Sequence, residues 1–194
     1  MSNPVTIVAV SGSLHTPSRT SALAAGILDR FALALETADL AVETELIELS
    51  GIGGGFAGAL TREGLAPEVE QALQRVERAD LVVAASPVYR ASFTGLFKHF
   101  FDFVGQYALI DTPVLLAATG GSERHALSLE HQFRPLFSFF QAVTLPLGVY
   151  ARDTDFDGGR IVDPALEERV SQAVARGIPL VRAGLSGIPA GSLA

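Results

Sequence analysis

The stretch Val5–Thr20, Val-Thr-Ile-Val-Ala-Val-Ser-Gly-Ser-Leu-His-Thr-Pro-Ser-Arg-Thr, narrows the possible folds more than any other. A β-branched apolar run breaks into a loop of serine, glycine, threonine and proline, and a long helical pattern starts directly after it. This reads as a buried strand feeding the head of a helix. The first turn of a helix offers unpaired N–H groups and the positive end of the helix dipole, both suited to an anion. Ser11, Ser13, Ser18 and Thr20 add hydroxyl donors, and the Arg19 guanidinium adds a fork able to grip phosphate at two points. The stretch therefore predicts a phosphate cradle. The competing reading is an ordinary strand–helix connection with a serine N-cap.

Two common cradles are excluded by what the loop lacks. A Walker A loop ends in Gly-Lys-Ser/Thr, and the only lysine of the chain is Lys98. The dinucleotide fingerprint needs Gly-x-Gly-x-x-Gly and an acidic residue roughly 20 positions on. Here Gly12 stands alone, and the acid at the next strand end, Glu48, comes too late. Hydroxyl-rich cradles of the flavodoxin type, which hold the single phosphate of FMN, remain.

Composition removes other classes. A length of 194 residues predicts one domain, over 1–183, with 184–194 as a flexible tail. The net charge of −7 argues against a nucleic-acid partner. No apolar run reaches the roughly 18 residues of a membrane span. The absence of cysteine excludes disulfides, thiol redox chemistry and thiolate metal sites. No secretory signal is visible, so the cytoplasm is the expected compartment. His15, His99, His125 and His131 lack metal-ligand spacing, and no metal is expected.

Along the chain, apolar strands alternate with amphipathic helices. Strands are expected at Val5–Val10, Val42–Leu49, Leu81–Ala85, Pro113–Ala118 and Val143–Tyr150. Helices are expected over 20–38, 67–78, 94–106, 123–141 (with Pro135 inside) and 164–182, and a frayed tail from Ala183. Gly51–Gly64 reads as a long loop without periodicity. This alternation predicts an α/β fold, a doubly wound five-stranded parallel sheet of order 2-1-3-4-5 with helices on both faces. That order gathers the loops after strands one, three and four at one edge.

The other two loops fit a flat ring. Ser86-Pro87-Val88-Tyr89-Arg90 offers a stiff turn, an aromatic flank in Tyr89 and a cation in Arg90 for negative charge on a reduced flavin or a phosphate. Thr119-Gly120-Gly121-Ser122 permits close backbone approach. Each also has a plainer reading, as a capped surface turn. Hydride transfer between a nicotinamide and a flavin requires stacking at roughly 3–3.5 Å and no protein acid, base or nucleophile. Nine of the 12 phenylalanines lie between Phe93 and Phe140, more than one apolar stripe per helix needs. The surplus predicts burial against another subunit, or else two unusually buried helices.

With these loops together, the chain resembles the NAD(P)H-dependent FMN reductases of flavodoxin-like fold, most of all those serving two-component sulfonate monooxygenases, the MsuE and SsuE type. The resemblance rests on Ser-Gly-Ser…Pro-Ser-Arg-Thr, on Ser-Pro-Val-Tyr-Arg-Ala-Ser-Phe…Gly-Leu-Phe-Lys-His-Phe-Phe-Asp and on Ala-Thr-Gly-Gly-Ser, and runs from Val5 to Arg182. It implies that Ser11, Ser13, Ser18, Arg19 and Thr20 hold the FMN phosphate, with Leu14 a further contact in that loop. It implies that Pro87, Val88, Tyr89 and Arg90 seat the isoalloxazine and that Thr119, Gly120, Gly121 and Ser122 close over it.

The resemblance further implies a homodimer or homotetramer with sites at the subunit interface, NADH or NADPH as hydride donor, and release of FMNH2 to a flavin-dependent monooxygenase. In the SsuE type an inserted tyrosine makes a π-bulge at the tetramer interface. This chain has His131 there, in Leu-Glu-His-Gln-Phe-Arg-Pro, similar to the MsuE branch and a candidate modulator. The alternatives are an FMN-retaining reductase of quinones, azo dyes or metal oxyanions, and a flavodoxin-like electron carrier without a nicotinamide site.

Overall fold

The computed structural model describes residues 3–186. Seven-residue strands β1 (Val5–Ser11), β2 (Val42–Glu48) and β3 (Leu81–Pro87), with β4 (Pro113–Gly120), form the body of one parallel sheet. Its order is β2-β1-β3-β4-β5, with β5 at Val143–Thr144, as expected from the alternation. Successive side chains of a strand point to opposite faces, and here both faces are apolar. Ile7 and Ala9 of β1 join one core, and Val8 and Val10 the other. The first core is covered by α1 (Arg19–Glu36) and α6 (Pro164–Leu185). The second is covered by α3 (Pro67–Glu77), α4 (Gly95–Asp102) and α5 (Arg134–Phe139), with Leu49 at the start of the short α2 (Leu49–Ile52). The α1 stripe Leu23, Ile27, Phe31 and Leu35 is fully buried, as its spacing predicts.

Several local expectations need correction. The fifth strand is two pieces, β5 (Val143–Thr144) and β6 (Val149–Arg152), both parallel to β4. Pro146 lies between them and has no N–H to give to a ladder. A hairpin that periodicity did not reveal, β7 (Phe156–Asp157) with β8 (Arg160–Ile161), follows. The expected helix over 123–141 is broken into a 3₁₀ turn (Glu123–His125), a π turn (Leu129–Phe133) and α5. Pro135 cannot donate to the carbonyl of His131. The π turn sits just before it, closed by the Arg134 N–H on the Leu129 carbonyl.

The Gly51–Gly64 stretch is less loose than its glycines imply. It contains helical turns at Leu49–Ile52, Gly53–Gly55 and Arg62–Gly64, and Phe56 is buried. Arg62 anchors it, with its guanidinium on Glu70 (2.8 Å), Glu77 (2.6 Å) and the Phe103 carbonyl (3.2 Å). At the other end of the chain α6 continues to Leu185, so fraying does not begin at Ala183. The tail expected beyond Ser186 lies outside the described residues.

The phenylalanine surplus is largely absorbed within the chain. Phe97, Phe100, Phe101, Phe133, Phe137 and Phe140 are buried. They interlock edge-to-face, Phe101 with Phe137 at 5.0 Å and Phe100 with Phe101 at 5.6 Å. Deep burial of two helices therefore accounts for these six, and only Phe139 is strongly exposed.

Candidate functional site

Strand register decides which loops meet. Ser11 pairs with Ala85, Pro87 with Thr119, and Gly120 with Arg152, so the carboxyl ends of β1, β3, β4 and β6 finish side by side. In a doubly wound sheet this edge carries the crevice. A cavity of about 270 Å³ opens there, lined by residues of all four loops: Ser13, His15 and Pro17–Thr20, then Pro87–Tyr89, Thr119–Gly121, and Asp153. Two wider hollows adjoin it. One of about 720 Å³ is lined by Val88, Tyr89, Arg90, Ala91 and His125. The other, about 470 Å³, is bounded by Gly121–Arg124 and Arg152–Thr154.

Each loop is held by its own polar groups. Ser18 caps α1, its Oγ accepting from the Ser21 N–H at 3.2 Å. Ser13 Oγ donates to the His15 carbonyl (3.0 Å) and accepts the His15 N–H (3.2 Å), closing a tight turn. The Thr94 hydroxyl donates to the Gly12 carbonyl at 2.8 Å, and Ser86 Oγ accepts the Thr94 N–H at 3.1 Å. A Cβ on Gly12 would lie 2.7 Å from the Phe97 ring, so only glycine lets β1 and α4 approach this closely. Thr20 and Thr119 share a 2.6 Å hydroxyl bond across the crevice floor. Behind the fourth-strand loop, the half-buried Tyr150 hydroxyl donates to the Ser122 carbonyl at 2.6 Å, and partial burial raises its phenol above the ordinary range.

Of the residues expected in the site, Ser13, Ser18, Arg19, Thr20, Pro87, Val88, Tyr89, Thr119, Gly120 and Gly121 line the one cavity. Arg90 faces the wider apolar hollow and Ser122 the polar one. Ser11 does not line the cavity: it is fully buried, its Oγ paired with Ser21 Oγ at 2.9 Å. Leu14 is exposed and lies outside the lining. His131 is exposed in the middle of the π turn, also outside it.

Sequence reasoning missed Asp153, His15, Pro17 and His125. Asp153 follows a strand piece whose register with Gly120 only the fold reveals. His15 and Pro17 stood in the quoted cradle stretch, and the signal for them was membership of the loop itself. The tight turn Tyr89–Ser92 carries Arg90 at φ +52° and Ala91 at φ +67°, left-handed values that favour glycine.

The residues present suit a phosphorylated ring compound. One end of the crevice offers Ser13, Ser18 and Thr20 hydroxyls, the Arg19 fork and the head of the 18-residue α1. The other offers an apolar turn beside small backbone, Val88–Tyr89 next to Gly120–Gly121. A doubly wound sheet with this site defines a flavodoxin-like protein of the flavin-binding class.

Comparison with known proteins narrows the class. Residues 5–157 match the family described as NADPH-dependent FMN reductase. The chain is 52% identical over 180 residues to the NADH-dependent FMN reductase SfnF of Pseudomonas fluorescens (strain Pf0-1), covering 93% of this chain and 94% of that one. It is 49% identical over 180 residues to an FMN reductase (NADPH) of Pseudomonas aeruginosa, with the same coverage. A crystal structure of an oxidoreductase from Corynebacterium diphtheriae superposes with a TM-score of 0.84 at 34% identity, covering 93% of this chain and 98% of that one. The chain belongs to the NADPH-dependent FMN reductase family, and is an oxidoreductase whose reactants are FMN and a reduced nicotinamide nucleotide.

Proposed function

We propose that this chain takes up free FMN, reduces it with NAD(P)H and releases FMNH2 to a partner flavin-dependent monooxygenase of organosulfur degradation, in the cytoplasm and as a homo-oligomer. The observation that carries the reading is the convergence of the Ser13–Thr20 cradle with the Pro87–Tyr89 and Thr119–Gly121 turns in one open cavity. FMN supplies the hydride acceptor when bound. Ser13, Ser18, Thr20 and Arg19 bind its phosphate, and Pro87, Val88 and Tyr89 with Gly120 and Gly121 flank its ring. Tyr89, 44% exposed, leaves the ring slot open to solvent and to a second planar ligand. Hydride transfer itself needs only stacking, and the proton that completes FMNH2 comes from solvent through the open slot, so no side chain has to supply it.

Steady-state oxidation of NADH and NADPH, with and without added FMN, FAD and riboflavin, tests this. Turnover should require added flavin and favour FMN over riboflavin. A yellow protein that keeps its flavin through purification and turns over only with a quinone, azo or metal-oxyanion acceptor would overturn it. No oxidation with FMN would do the same.

A further inference from the structure

Asp153 stands at the rim of the cradle, where a phosphate-binding site has no evident use for a negative charge. Its Oδ1 lies 3.3 Å from Nη1 of Arg19, the one guanidinium among the described residues of the cavity lining, and both side chains are just over half exposed. Charge-assisted hydrogen bonds are shorter, about 2.7–2.9 Å, so this pair is loose and can be exchanged for a better acceptor.

The aspartate is not there by loop accident. It follows β6, whose Arg152 pairs with Gly120. The turn after it is pinned by the buried Asp155, which accepts the Arg152 N–H at 2.7 Å and the Arg152 guanidinium at 3.0 Å. The Asp155 carbonyl in turn accepts the Val162 N–H at 2.9 Å. Asp153 is thus presented to the cradle by a fixed turn.

We propose that Asp153 is an affinity-setting residue. It competes with the flavin phosphate for Arg19 and places a like charge at the phosphate site, so that the nucleotide is held loosely and leaves after reduction. This rests on the cradle reading given above and deepens it. A carboxylate facing a phosphate dianion opposes binding, and a flavin without phosphate does not feel that opposition. A reductase that delivers its product to another protein benefits from fast departure, and Asp153 supplies it at the group all FMN oxidation states share.

Titration of the full-length protein with FMN and with riboflavin, following flavin fluorescence, tests the assignment in the wild type, Asp153→Asn, Asp153→Glu and Asp153→Asn/Arg19→Ala. Asp153→Asn should tighten FMN about fivefold, the scale of an exposed charge pair, and leave the Kd of riboflavin within about twofold. Asp153→Glu should stay close to the wild type, and the gain should shrink with added salt and in the Arg19→Ala background. An Asp153→Asn protein that binds FMN no more tightly than the wild type, or that tightens riboflavin equally, overturns the proposal. A wild type that binds riboflavin as well as FMN instead defeats the cradle reading itself.

Discussion

The hydroxyls of Thr20 and Thr119, 99 positions apart, meet at 2.6 Å on the floor of the crevice. Both residues are almost fully buried, and among the described residues neither hydroxyl has another hydrogen-bond partner. The bond ties the first turn of α1 to the end of β4, fixing the loop after β1 against the loop after β4. Removing one partner strands the other, at a cost of about 1–3 kcal/mol. Thr20→Val should therefore lower the melting temperature by several degrees, at about 2–4 °C per kcal/mol for a chain of this size. Thr20→Val/Thr119→Val should lose less than the sum of the single changes. Calorimetry of the four proteins checks both. Additive losses would mean the bond does not couple the two loops.

Among the described residues Arg19 is the one arginine or lysine in the cavity lining, and its partner there is an exposed carboxylate. Arg19→Ala should raise the KM for FMN about tenfold, the worth of a hydrogen bond to a charged group, and leave that for riboflavin nearly unchanged. Paired steady-state kinetics with the two flavins give the answer. Equal effects on both would place Arg19 away from the phosphate.

The turn that carries Tyr89 is built on Arg90 and Ala91, both with positive φ. A side chain in that region costs roughly 1–2 kcal/mol, partly offset in a glycine variant by the larger entropy of its unfolded chain. Ala91→Gly should raise stability by about 0.5–1 kcal/mol, read as a higher midpoint in urea with an unchanged slope. A lower midpoint would show that the Ala91 methyl makes contacts worth more than the strain.

Arg62 holds the 59–65 loop to α3, and its effect reads out in acid. Its guanidinium, helped by the Gln74 amide, lowers the Glu70 carboxyl from the ordinary 4.5 to about 2. A carboxylate depressed on folding stabilises the fold fully above its unfolded value, and that contribution fades as pH falls from about 4.5 toward 2. With Glu70 a third exposed, solvent reduces the contribution to about 1 kcal/mol. Glu70→Gln should lower stability by that amount at pH 7, and the gap should narrow below about pH 4.5 and close only below about pH 2. A constant gap across the range would mean the pair does not titrate with folding.

Much of this molecule follows from short-range pattern. Continuous apolar runs such as Leu81–Ala85 can lie only inside a two-faced parallel sheet, and the stripe Leu23, Ile27, Phe31 and Leu35 can be buried only on one side of a helix. The hydroxyl-rich loop at the head of α1 was legible because a strand end followed by a serine N-cap is a local arrangement. The position of Ser11 was not legible, because periodicity does not tell whether the last strand residue turns inward, and here its hydroxyl meets that of Ser21.

The breaks in the fifth strand and in the helix after β4 depend on Pro146 and Pro135, whose missing N–H groups matter only once a neighbouring carbonyl is in place. By itself, then, the sequence determined the alternation of strands and helices, their apolar faces and the hydroxyl-rich loop at the head of α1, since those are set by side-chain period and by residues adjacent in the chain. Only the tertiary structure decided that Asp153 would stand against Arg19 and that Thr20 would meet Thr119. Those meetings depend on the register of strands far apart in the chain, and no local pattern encodes it.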